Sequence, residues 1–108
     1  MDENNVKKLN DEETKQVNGG FLHETACNSD FLKHIGAMDR NFSTWDLTVD
    51  WENCSAKVDD GWAKLGITCV TKAAYFNDYF YLGKKIPRME AFYIAMDKTG
   101  VNVDYSDY

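Results

Sequence analysis

Residues 65–82 read LGITCVTKAAYFNDYFYL, and this stretch decides the fold class. From Leu65 to Phe76 it is rich in β-branched and aromatic side chains, which suit a pleated, half-buried surface. Asn77-Asp78 interrupts the run before Tyr79-Phe80-Tyr81-Leu82 resumes it. Two such runs around a pair of turn formers predict a β-hairpin turning at Asn77-Asp78. The aromatic cluster Tyr75, Phe76, Tyr79, Phe80 and Tyr81 then reads as core and cross-strand pairs rather than as a stacking platform for a ligand.

Gly83-Lys84-Lys85 closes the second strand of that hairpin, and Pro87 follows, a residue whose fixed φ suits the first turn of a helix. Met89, Phe92, Tyr93 and Met96 recur at helical spacing along one face, and Gly100 stops the helix as its C′ residue. Val101 to Tyr105 alternate, as either a short last strand or a loose end. On the N-terminal side, Asp59-Asp60-Gly61 reads as a turn. Before it, Trp45, Leu47, Val49 and Trp51 alternate with Thr44, Asp46, Thr48 and Asp50, a period of two that predicts a strand. Asn28-Ser29-Asp30 is a cap cluster ahead of Phe31, Leu32 and Ile35, which predicts a short amphipathic helix over 29–38. The expected fold is a small single α+β domain, a β-hairpin with flanking short helices, preceded by a disordered or partly helical N-terminal segment.

The border of that domain is marked by composition. All six Tyr, six Phe and three Trp follow Gly19-Gly20, whereas residues 1–20 offer only Met1, Val6, Leu9 and Val17 as apolar side chains. A segment so poor in apolar surface cannot offset its ordering entropy with a core. The chain therefore divides into residues 1–20 and an acidic, core-forming domain over 21–108.

Counted back from Gly20 as position −1, Gly19 stands at −2, Val17 at −4, Glu13 at −8 and Leu9 at −12. This pattern resembles the double-glycine leaders of bacterial peptide precursors, many bacteriocins among them. The resemblance covers residues 1–20 and implies recognition by the cysteine peptidase domain of a peptidase-containing ABC transporter. That domain would cut Gly20 from Phe21 and export the remainder, so the product is secreted after cytoplasmic synthesis. Thr14 departs from the pattern, standing at −7 where such leaders usually carry a large apolar residue. The chemistry fits: a narrow peptidase cleft admits backbone without Cβ atoms, and Gly19-Gly20 supplies it. In an induced helix Leu9, Glu13 and Val17 fall at i, i+4 and i+8 on one stripe, two apolar anchors flanking a carboxylate.

Charge and cysteine usage limit the other readings. At a net charge of −6 and with no basic run longer than a Lys pair, the chain lacks the electrostatic footprint of a nucleic-acid binder. No apolar stretch approaches the length that spans a bilayer, so no stable membrane insertion is expected. Residues 21–108 carry nine basic against thirteen acidic side chains, which disfavours a simple membrane-lytic action and favours an extracellular protein target. Asp46, Asp50, Glu52, Asp59 and Asp60 read as a solvated acidic face rather than an acid–base or calcium site.

Cys27, Cys54 and Cys69 leave an odd thiol under any pairing. In an exported protein a Cys54–Cys69 disulfide is plausible and would contribute on the order of 3 kcal/mol; the alternative is buried free thiols. His23, Cys27 and His34 lack the paired ligand motifs of a zinc site, and no nucleophile setting is recognisable around them. Neither metal nor other cofactor is expected, and the chain does not read as an enzyme. The competing reading is an intracellular protein-binding or regulatory module whose first twenty residues are an incidental tail.

Overall fold

A computed structural model describes residues 21–104, 106 and 108. Helix α1 spans Phe21–His34, α2 Thr44–Val49 and α3 Trp51–Ala63; strands β1 (Ile67–Val70), β2 (Asp78–Tyr81) and β3 (Lys84–Ile86) follow, and α4 covers Arg88–Thr99. The strands form one antiparallel sheet in the order β1-β2-β3. Helices packed around a small antiparallel sheet make this an α+β domain.

The helix expected over 29–38 begins earlier and ends sooner. Asn28, Ser29 and Asp30 lie inside α1, because the first two find partners across the fold instead of capping their own helix. Ser29 Oγ accepts from the Phe42 amide at 2.8 Å and donates to the Ala26 carbonyl at 2.7 Å. The end of α1 is set by Gly36 at φ +87: its amide donates to the Lys33 carbonyl, and the Ala37 amide reaches back to the Leu32 carbonyl at 2.8 Å. This is a Schellman closure, whose left-handed residue favours glycine.

The strand expected over 45–51 is instead α2 and the start of α3. Ser43 and Asp46 form a capping box, in which Asp46 Oδ2 accepts the Ser43 amide at 2.9 Å and Ser43 Oγ accepts the Asp46 amide at 3.1 Å. Two satisfied amide donors fix a helix start that the period-two pattern does not reveal. Burial agrees: Leu47 is fully buried, but Trp45 is 70% exposed, as no shared strand face would allow. Asp59-Asp60-Gly61 is likewise no turn but part of α3. Gly61 is there for close packing, since a Cβ at this position would stand 2.8 Å from Met38 Cγ and 3.1 Å from Leu32 Cδ1.

The hairpin exists, with its turns elsewhere. Cys69 pairs with Tyr79 and Val70 with Asp78, so residues 71–77 form a longer connection rather than a two-residue turn at Asn77-Asp78. Asn77 is buried and braces that connection by accepting the Lys72 amide on Oδ1 at 2.9 Å. The tight turn is Leu82-Gly83, joining Tyr81 to Lys84, so Gly83-Lys84-Lys85 opens a third strand instead of ending the second. Both turn residues have positive φ, +52 at Leu82 and +81 at Gly83, as a type I′ turn requires. Leucine is costly in that conformation, and here its side chain is 84% exposed and packs against little. Leu82→Asn should therefore stabilise the domain by about 0.5–1 kcal/mol, raising Tm by roughly 2–6 °C in a calorimetric scan. An unchanged or lower Tm would show that the turn carries no strain.

Helix α4 runs as expected from just after Pro87 to Gly100, which ends it with a φ of +73 and an amide N–H that donates to the Met96 carbonyl at 2.8 Å. Its buried side is Ala91, Phe92, Ala95 and Met96, with Met89 and Tyr93 about half exposed at the margin. Residues 101–104 form no strand. The core centres on three stacked rings from three helices. Phe31 of α1 lies 5.9 Å from Trp62 of α3 and 4.4 Å from Phe92 of α4, and Tyr79 of β2 meets Trp62 edge-on at 5.5 Å.

Candidate functional site

The polar counterpart of this core is built on the other part of α1. Glu24, Thr25, Asn28 and Ser29 recur at i, i+1, i+4 and i+5, which places them on one face of the helix, and all four are buried. Three of them meet polar groups from β2, the residue before it and α4. Glu24 Oε2 accepts the Tyr79 hydroxyl at 2.6 Å and faces Arg88 Nε at 3.7 Å, while Glu24 Oε1 accepts the Asn77 amide at 3.2 Å. Asn28 Nδ2 donates to the Tyr79 hydroxyl at 2.8 Å, and Asn28 Oδ1 accepts from Arg88 Nε at 3.0 Å and Nη2 at 2.9 Å. Asn77 Nδ2 donates to Thr25 Oγ1 at 3.1 Å.

Each side chain in this network has its partners, so the network holds α1, the sheet and α4 in one arrangement. Burial, and then the Glu24 charge, push the Tyr79 phenol far above its ordinary value. Its hydroxyl therefore stays protonated and keeps donating to the carboxylate.

Beside the network lies an open cleft of about 500 Å³, within the size range of small-molecule sites. Glu24, Asn77, Tyr79 and Arg88 contribute to its lining, together with His23, Phe76, Asp78, Lys85, Ile86, Pro87 and Tyr108. Arg88 Nη2 donates to the Tyr108 carbonyl at 2.6 Å, and the Arg88 guanidinium lies over the Phe92 ring at 4.5 Å. Asp78 receives both Lys72 Nζ at 2.8 Å and Lys85 Nζ at 3.2 Å, and these bonds hold its carboxyl below the usual carboxylate range. Both acids facing the cleft are thus already neutralised by cations.

Of the residues singled out from the sequence, Leu9, Glu13, Val17, Gly19 and Gly20 lie outside the described residues. Phe21 is the first residue of α1. Cys54 and Cys69 are buried free thiols with separate partners, Cys54 donating to the Asp46 carbonyl at 3.7 Å and Cys69 lying 3.4 Å from Thr71 Oγ1. Burial pushes the Cys69 thiol up to about 12 and, with the charges of Asp50 and Asp46, raises that of Cys54.

His23 Nε2 and Cys27 Sγ are 3.3 Å apart, one helical turn from each other, but burial raises the Cys27 thiol too. His34 sits eleven residues further along the same helix, roughly 16 Å by helical rise, and its Nδ1 meets the Tyr108 hydroxyl at 3.2 Å. The two histidines are therefore not brought together. Among the described residues no group of three His, Cys, Asp or Glu side chains gathers as metal ligands would, and no helix is long and apolar enough to cross a membrane.

Sequence reading missed Glu24, Asn28 and Arg88. Glu24 and Asn28 had one legible signal, the polar stripe 24, 25, 28, 29, visible only if the helix is started at Phe21 rather than at Ser29; Arg88, on α4, had none. Comparison with protein-family models, with curated proteins and with solved structures finds no match.

Proposed function

We propose that the chain is a double-glycine precursor, whose residues 1–20 are a leader read through Leu9, Glu13 and Val17 and removed after Gly20 during export by a peptidase-containing ABC transporter. The acidic domain that follows is the cargo, released outside the cell to meet a protein target. The observation carrying this reading is the coincidence of two borders. The glycine pair stands in register with Leu9, Glu13 and Val17, and every aromatic residue of the chain comes after it.

Incubation with the peptidase domain of a matching transporter, read by mass spectrometry, should give one cut and a product beginning at Phe21. Gly19→Ala and Leu9→Ala should each slow that cut about tenfold or more, the first by crowding the cleft and the second by removing an anchor. Absence of the cut, or a cut indifferent to both substitutions, overturns the proposal. The second reading, an intracellular binding module, draws on the cleft beside Arg88 and predicts no such processing.

A further inference from the structure

We propose that the cleft between the start of α1 and the β3–α4 junction binds an apolar carboxylate, a hydrocarbon or aromatic body carrying one acid group. This inference rests on the cleft alone and stands whether or not the leader is cleaved. Its first support is charge. The chain carries −6 overall, yet around this cleft Lys72, Lys85 and Arg88 outnumber Glu24 and Asp78. The two carboxylates are fully engaged by those cations and by Tyr79 and Asn77, and Lys72, held on Asp78 from outside the lining, leaves the cations one charge in excess of the acids.

The second support is the donor geometry of Arg88. Its Nε and Nη2 are used on Asn28 and Tyr108, whereas Nη1 makes no hydrogen bond among the described residues. A guanidinium already locked on one edge by a buried amide loses little further entropy on accepting a carboxylate. The third is shape: Phe76, Ile86 and Pro87 add apolar lining to the same cleft, within a volume of about 500 Å³. The chain's own residue 108 illustrates the chemistry that this corner takes, an aromatic residue whose oxygen is held by Arg88 at 2.6 Å while its ring meets Phe31 edge-on at 5.8 Å.

Such a ligand has two sources, a free small acid or the carboxyl end of a peptide. The test is a two-dimensional amide NMR titration of the full chain with 3-phenylpropionate, its amide, and the tripeptide Gly-Gly-Phe with free and with amidated carboxyl. The acid should produce saturable shifts confined to the amides of 23–24, 77–79, 85, 86 and 88, with Kd on the order of 1 mM. Its amide should bind at least about tenfold more weakly. If Gly-Gly-Phe saturates at lower concentration than the small acid, the natural ligand is a chain end; the reverse order marks a free acid.

Arg88→Gln should abolish the shifts. Because Arg88 also braces the fold, Lys85→Gln, at an exposed side chain, provides the second reading and should weaken binding several-fold with an unchanged spectrum elsewhere. Equal binding of acid and amide, shifts scattered outside the cleft, or no saturable shift overturns the proposal.

Discussion

Glu24→Ala should lower the unfolding free energy of this domain by about 3 kcal/mol, and chemical denaturation followed by fluorescence measures it directly. The size follows from what the carboxylate leaves behind. Its removal leaves the Tyr79 hydroxyl proton and the Asn77 amide, both buried, without their acceptor, and withdraws the counter-charge from Arg88. Each unsatisfied buried group costs about 1–3 kcal/mol; the guanidinium contributes less than a fully buried ion, because its side chain is 28% exposed and water screens it. Glu24→Gln should fall between, since one amide oxygen replaces two acceptors and its NH₂ group opposes the Arg88 donors. A double-mutant cycle with Arg88→Ala isolates the pair and should show coupling above about 0.5 kcal/mol. A loss under about 1 kcal/mol for Glu24→Ala would mean that the three elements are held by the apolar core alone.

That network also shows where sequence reading succeeds and where it stops. Helix α4 was legible because its signals are local: Pro87 and Gly100 bracket it, and apolar residues recur between them at helical spacing. The hairpin was legible as two β-rich runs, but its turns were misplaced. Asn77, a good turn former, is spent bracing the 71–77 connection, while Leu82 takes a left-handed conformation that its residue type does not advertise. Residues 45–51 show a sharper failure. Alternation is a weak witness over so short a run, and the deciding signal, Ser43 three residues before Asp46, was already in the sequence as a capping box.

The cleft itself was not legible. Glu24 and Arg88 stand 64 positions apart, and Asn28 reads locally as a cap residue; only the tertiary fold gives that amide a guanidinium and a phenol to bind. Polar residues that look like punctuation become cross-links once a second element arrives. By contrast, the double-glycine pattern is purely local. The proposed processing by a peptidase rests on that pattern and is independent of the fold that follows.

The other large effect is expected at Trp62. It is fully buried and touches Phe31, Phe92 and Tyr79, so Trp62→Ala removes the ring that joins α3 to α1, α4 and the sheet. Truncating so large a buried side chain costs about 3–5 kcal/mol, comparable to the whole stability of many small domains. The protein should be largely unfolded at 37 °C, visible as lost amide dispersion in NMR. Trp62→Phe distinguishes packing from hydrogen bonding. The indole Nε1 is buried and, among the described residues, has no hydrogen-bond partner. A phenyl ring therefore leaves a smaller void than alanine, breaks no hydrogen bond, and relieves a desolvated donor worth about 1–3 kcal/mol. Its net cost should be only about 1 kcal/mol, the residual void set against the relieved N–H. A Trp62→Phe loss as large as that of Trp62→Ala would place an unseen acceptor on that nitrogen. A small loss makes the stacked faces of Phe31, Trp62 and Phe92, not any polar contact of the indole, the reason that a tryptophan stands at the centre of this fold.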